Sequence, residues 1–418
     1  FEEMKSRPYQ VISTLYNLHK YLKQNGEYDN FNKDEHTLEW SINNNSLSSP
    51  DYWILSKLQN LIKDVTNSYS DTNFNLVAAS IDNFIIESFS QIYLPMVRNE
   101  IWNDDDSHLN RRLSIYSIIS HILYTLDVLL HPISPFITEF LHNSIFDNNP
   151  ILAKTWPKSN PDFLDNDLES EFKFLQIIIS QSNSARMKGK LKRRWPLKLS
   201  MIYSEDQPLS NLIKHKELLQ TFCNIRDIKY IDNVDELPVN LSIFPNYDIL
   251  GKKLRADINE FRRIIKEQNA LDLFKHFIIN DSFTFKINGT SYKVLKNEIK
   301  FQFDATDDYV LSSKSGIVVI LPKERDSDLF IEGYLRDLAR RIQSERKESG
   351  LDPSEMLKNT LIYGIDTPTK KLLMPKLSEL KYLVRTNNVE VVDDLNSSYN
   401  WKDIDIDGSK LKICIISS

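Results

Sequence analysis

The chain has 418 residues, a net charge of −6 and only 9 glycines, where ordinary usage of about 7% would give roughly 29. Those glycines lie too far apart to spell G-x-G-x-x-G or G-x-x-x-x-G-K-[ST], which excludes the two commonest glycine-built phosphate cradles. Two isolated cysteines, Cys223 and Cys414, exclude a Cys-rich zinc site and a disulfide framework, and a negative net charge means that any nucleic-acid contact must use a local patch.

The N-terminus, FEEMKSRPYQ, does not read as a signal peptide, and it starts at Phe1. The chain therefore reads as an internal or C-terminal piece of something longer. No run of about 18 apolar residues is found, so no transmembrane helix is expected. Val11, Ile12, Leu15, Leu18, Tyr21 and Leu22 repeat at helical spacing within 1–28. The polar stretch SINNNSLSSPD (41–51) reads as a linker, with Ser49 or Asp51 as the cap of the next helix.

Three apolar stripes follow. The first is Ile54, Leu58, Leu61, Ile62, Val65 and Tyr69. The second runs from Phe74 through Val77, Ile81 and Ile85 toward Trp102. After an acidic turn at 103–107, the third uses Leu113, Ile118, Ile122, Leu126 and Leu129 and stops at His131-Pro132. A short helix is expected from Pro135 to Phe146, and a long one begins near Asp165 or Asp167. Long amphipathic helices joined by short turns predict a bundle.

Beyond Pro196 the texture changes. LKLSMIYS (197–204) and IKYID (228–232) read as strands, and a helix uses Leu254, Ile258, Phe261 and Ile265. Short β-like runs fill 283–321, a charged helix covers 329–348, and closing strands surround a helix at 367–381. The fold class is α plus α/β, with no internal repeat of fixed period.

The strongest local signal is ARMKGKLKRRWPL (185–197). Arg186, Lys188, Lys190, Lys192, Arg193 and Arg194 stand there without an acid among them, and Trp195 ends the run. Such a cluster suits phosphate neutralisation, and a tryptophan suits stacking on a base. It equally suits a solvated helix end whose cations complement the C-terminal dipole, with Trp195 in the core. Gly189, inside the run, offers a flexible backbone for close approach to RNA.

On 329–348, Arg336, Arg340, Arg341, Arg346 and Lys347 alternate with acids and read as a salt-bridged face. Arg98 precedes Trp102 on the second stripe, and Arg111 and Arg112 stand at a helix start. The eight histidines form no H-E-x-x-H, and no serine sits in G-x-S-x-G. No candidate catalytic residue and no metal site emerge.

Several motifs together resemble a known family. SPDYWILSKLQNLIKDVTNSY (49–69), YLPMVRNEIW (93–102) and LLHPISPFITEFL (129–141) look like the helical anticodon-binding bundle of the class I aminoacyl-tRNA synthetases for isoleucine, valine and leucine. KTWP (154–157), a helix, and then R-x-x-x-K-x-K-x-R-W-P-L are similar to the isoleucine enzyme. EGYLRDLARRIQSERKESGLD (332–352) resembles a characteristic C-terminal helix of isoleucyl-tRNA synthetases, and DIDIDGSKLKICI (403–415) resembles the last strands of the archaeal and eukaryotic type.

The resemblance implies four segments. They are a tail of the catalytic core with a connecting helix (1–45), the anticodon-binding bundle (49–200), a small α/β domain (201–328), and a C-terminal helix with a mixed α/β domain (329–418). It implies an isoleucine–tRNA ligase as parent, a cytoplasmic enzyme of protein biosynthesis, monomeric and without a membrane. The H-x-G-H and K-M-S-K-S motifs are absent here, so the catalytic and editing parts, with ATP and Mg, are expected upstream. No cofactor is expected in this segment.

The partner implied is an isoleucine-accepting tRNA. The residues implied to touch it are Arg186, Lys188, Lys190, Lys192, Arg193, Arg194 and Trp195, then Arg98, Trp102, Arg111 and Arg112. The alternative is a stand-alone, non-catalytic RNA-binding or scaffold module derived from a synthetase.

Overall fold

A computed structural model describes residues 2–103, 105–205, 209–351 and 355–417. Asp104 of the acidic turn and Asp352, the last residue of the 332–352 motif, lie outside the described residues. The chain divides into two compact units, Phe1–Phe174 and Leu175–Ser418.

The first unit is helical: α1 (Glu2–Tyr28), α2 (Leu38–Asn43), α3 (Ser49–Ser70), α4 (Phe74–Asn83), α5 (Leu94–Ile101), α6 (Leu109–Leu130), α7 (Pro135–Ile145) and the start of α8 (Asn166–Lys188). Residues 41–43, read as linker, close α2, which Thr37 caps by accepting the Trp40 amide at 3.2 Å. The cap of α3 is Ser48 rather than Ser49 or Asp51. Asp51 stands three places on and closes a capping box by accepting the Ser48 amide at 2.6 Å.

The second stripe is not one α-helix. Its middle, Phe84–Tyr93, widens into a π-helix between α4 and α5 and ends just ahead of Pro95, which has no amide to continue a ladder. Helix α6 is long and apolar enough to cross a membrane, contrary to the expectation, but nearly all of it is buried within the fold. Its apolar surface is used in the bundle core, around Ile115, Ile119, Ile122 and Leu126.

The second unit begins within α8. It continues through β1 (Leu197–Ser204), α9 (Lys216–Cys223), β2 (Ile225–Ile231), β3 (Val239–Pro245), α10 (Tyr247–Leu254), α11 (Ile258–Glu267) and α12 (Ala270–Ile279). Then come β4 (Ser282–Ile287), β5 (Thr290–Leu295), β6 (Ile299–Ala305), β7 (Tyr309–Lys314) and β8 (Ile317–Pro322). Last are α13 (Ser327–Glu348), β9 (Asn359–Tyr363), α14 (Thr367–Leu373), α15 (Leu377–Val384), β10 (Val389–Val392), β11 (Lys402–Ile406) and β12 (Ser409–Ile416). The helical bundle followed by a mixed α/β region is thus the observed fold class.

Two four-stranded sheets, ordered β2-β1-β8-β7 and β10-β9-β12-β11, frame this unit. Strand β1 runs over 197–204 as expected, and its run of buried residues, Met201 to Tyr203, marks a central strand. Helices α9 and α12 and strand β3 do not stand out in the sequence. They have 8, 10 and 7 residues, too short for periodicity to separate helix from strand.

Candidate nucleic-acid interface

The basic run folds as a corner between α8 and β1. Helix α8 ends in a Schellman turn: the Leu191 amide donates to Arg186 O at 2.8 Å and the Lys190 amide to Met187 O at 3.2 Å. The left-handed position is filled by Lys190, with φ of 53°. Gly189 is not there for flexibility. A Cβ on it would stand 2.9 Å from Val310 Cγ1, so the glycine is required for close packing on β7.

Arg186 does not face solvent. It is 2% exposed, and its two terminal nitrogens donate to four carbonyls: Lys192 and Trp195 at 3.0 Å, Cys223 at 2.9 Å and Asn224 at 3.0 Å. Cys223 and Asn224 end α9, where carbonyls lose their helical partners. The guanidinium therefore ties the corner to the end of α9 through charge-assisted bonds. Burial pulls Arg186 down to about 10, which leaves it charged at neutral pH.

Trp195 is no stacking platform either. It is 1% exposed, belongs to one buried core with Ile331, Tyr334 and Leu335 of α13, and meets the Phe330 ring edge-on at 5.3 Å between centroids. Its Nε1 donates to Asp337 Oδ2 at 2.9 Å, and the guanidinium of Arg325 lies 4.7 Å from the ring centroid. Gly333 makes room for it: a Cβ there would come within 2.6 Å of the indole. Lys192 is half-buried and paired, 3.2 Å from Asp407 and 3.5 Å from Asp337.

Four cations of the run remain on the surface: Lys188, Lys190, Arg193 and Arg194. Lys188 reaches the Leu311 carbonyl at 3.3 Å. Among the described residues, no carboxylate forms an ion pair with any of the four, and the exposed Lys198 adds a fifth charge nearby. Clustered unpaired cations in a net-negative chain create a local positive potential suited to a polyanion.

The second-tier residues divide in the same way. Arg111 bonds Asp51 at 2.5 Å and Glu100 at 2.5 Å. Burial opposes its charge, but these carboxylates win and raise its pKa. Arg112 pairs with Asp29 at 2.8 Å, and Tyr116 donates to the same carboxylate at 2.8 Å. Both arginines are internal braces. Arg98 and Trp102 are exposed, with the guanidinium 5.7 Å from the ring centroid. On α13, Arg336 pairs with Glu332 at 2.6 Å and Arg340 approaches Asp337 at 3.9 Å, as the salt-bridged face read from the sequence requires, but Arg346 of that reading is buried and donates to backbone carbonyls instead.

A buried polar cluster has no signature in the sequence. Asp127 on α6 lies 3.2 Å from His19 Nε2 on α1 and 3.4 Å from His142 Nδ1 on α7. Three helices bring these residues together, so no spacing announces them. Among the described residues, no group of His, Cys, Asp or Glu is arranged to hold a metal.

Residues 51–201 match the family described as the anticodon-binding domain of tRNA ligase, a segment that includes the basic corner. The chain is 24% identical to the isoleucine–tRNA ligase of Clostridium novyi over 99% of its own length and 39% of the relative's. It is 28% identical to that of the archaeon Picrophilus torridus over 83% of the chain and 32% of the relative, and 25% identical to that of Pyrococcus abyssi over 82% and 31%. Over most of its length this chain is similar to isoleucine–tRNA ligases. It spans about a third to two fifths of the length of these relatives, archaeal ones among them.

Proposed function

We propose that this chain is the C-terminal, tRNA-binding part of an isoleucine–tRNA ligase, and that it docks the anticodon arm through the α8–β1 corner. The observation that carries this reading is the set of exposed cations without carboxylate partners, Lys188, Lys190, Arg193 and Arg194, inside the segment matched to an anticodon-binding domain. Arg98 and Trp102 offer a second contact of the kind used on single-stranded bases, a ring beside a cation. In this reading, ATP-dependent charging with isoleucine takes place in the rest of a cytoplasmic, monomeric parent enzyme. Binding energy spent on the anticodon arm then positions the remote acceptor end.

The test is filter binding of the chain to a tRNA with an isoleucine anticodon across a salt series. Replacing Arg193 and Arg194 by alanine lowers the slope of log K against log salt by about 0.7–0.9 for each phosphate that the corner no longer neutralises. An unchanged slope would remove the corner from the binding surface.

A further inference from the structure

We infer that the second unit contains two modules of one design, and that the first module's helix–strand corner has been converted into a polyanion site by cations its fold does not require. The identification of that polyanion as tRNA rests on the proposed function.

The duplication shows in topology, register and side chains. In both sheets a central strand pairs parallel to the next strand on one side and antiparallel to a hairpin on the other. Ile202 faces Tyr230 and Val319, and its counterpart Ile362 faces Val391 and Ile413. SARMKGKLKRRWPLKLSMIYS (184–204) and SERKESGLDPSEMLKNTLIYG (344–364) align without a gap, so that Arg186, Leu191, Leu197, Ile202 and Tyr203 meet Arg346, Leu351, Leu357, Ile362 and Tyr363.

The shared arginine has the same task in both modules. Arg346 is 1% exposed and donates to Val384 and Arg385, which end α15 as Cys223 and Asn224 end α9. Asn224 and Arg385 both take a φ of 51°. Arg346 also reaches the Glu355 carbonyl, the position of Trp195. The Leu351 amide closes the Schellman turn on Arg346 O at 3.0 Å, as Leu191 does on Arg186. The modules differ mainly in the stretch between β2 and β7, where the first accommodates β3 to β6.

The second module is therefore an internal control for the first. Aligned with Lys188, Lys190 and Arg194 of the first corner, the second module's sequence has Glu348, Gly350 and Ser354. The turn needs none of that charge. Lys190 is the most telling position, because Gly350 takes the left-handed conformation (φ of 73°) freely, whereas a lysine Cβ disfavours it. Strain kept at a position where glycine serves elsewhere in the same chain points to a use for the side chain. Lys192 and Trp195 are excluded from the site, since both are engaged with Asp337 of the second module.

The experiment grafts second-module residues onto the first corner of the full 418-residue chain, as K190G and as K188E/K190G/R194S, with heparin and tRNA as separate probes. The expected result for K190G is a Tm equal to or above the parent's, with heparin affinity reduced roughly fivefold at about 0.1 M salt. The triple variant is expected to keep its Tm within a few degrees and to show heparin affinity at least about tenfold weaker. A large fall in Tm, or heparin affinity unchanged in a folded variant, overturns the inference. The tRNA arm decides the other reading by itself: a parent chain that binds heparin at this corner but not tRNA refutes tRNA docking while leaving the polyanion site standing.

Discussion

The indole of Trp195 donates to Asp337 across 142 residues of sequence. A residue that ends a basic run, and so looks suited to RNA, is instead the anchor that fastens the first strand of the unit to α13. Replacing Trp195 by alanine should cost about 3–5 kcal/mol of stability, as for other large buried aromatics. W195F, which keeps most of the ring and removes the hydrogen bond, should cost about 1–2 kcal/mol. Urea denaturation of the two variants measures this. A W195A chain of parental stability that no longer bound tRNA would return Trp195 to the stacking role.

Gly333 and Gly251 form a matched pair of glycine tests. G333A pushes a methyl into the Trp195 ring and should cost about 1–3 kcal/mol by overpacking. Gly251 lies in α10 with nothing within 4 Å of its Cβ position, so G251A should raise stability by roughly 0.5–1 kcal/mol. Urea midpoints at constant m report both signs. Equal effects would mean that the close approach at Trp195 is not present in solution.

The Asp29–Arg112 brace predicts acid sensitivity. Burial raises the Asp29 pKa, but the hydrogen bonds from Arg112 and Tyr116 outweigh it and hold the carboxylate below its ordinary 3.8. The folded value lies below the unfolded one, so the unfolded chain takes up the proton first as pH falls. The stabilisation is full above the unfolded value and is lost as pH drops through the folded one. D29N should be less stable than the parent near neutral pH, and the gap should close under acid. A gap that stays constant from neutral pH to about pH 3 would show that the ion pair contributes nothing.

Arg98 and Trp102 should separate binding from folding. Both are exposed, so R98A and W102A should change stability by no more than about 0.5 kcal/mol. If the ring stacks on a base, W102A weakens tRNA binding by about 1–3 kcal/mol. R112A is the contrast. It leaves Asp29 buried and uncompensated and should cost about 3–5 kcal/mol. Thermal melts and filter binding on the same three variants decide the matter. Parental tRNA affinity in W102A would confine RNA contact to other surfaces.

Much of the architecture was legible because it is local. The apolar stripes of α3, α6 and α8, the proline stop after α6 and the strand 197–204 all follow from spacing along one element. The basic run was legible as well, as a concentration of charge in a chain of net charge −6. The duplication was not. Few residues of each module recur, and the long stretch between Ile231 and Tyr309, which the second module lacks, hides the period from any fixed-spacing search.

The sequence by itself determined that a helical bundle precedes a mixed α/β region, that glycine-built phosphate loops are excluded, and that positive charge gathers at 186–194. Only the tertiary structure decided which of those charges are available. Arg186 was claimed by the free carbonyls at the end of α9, Lys192 by Asp337 and Asp407, Arg111 by carboxylates on α3 and α5, and Arg112 by Asp29 in the turn after α1. A cation's partner is chosen by distance in space, since charge interaction weakens with separation and is screened beyond roughly 8–10 Å at physiological salt. Neighbours along the chain show how much charge a segment carries, and only the fold shows how much of it is left without a partner.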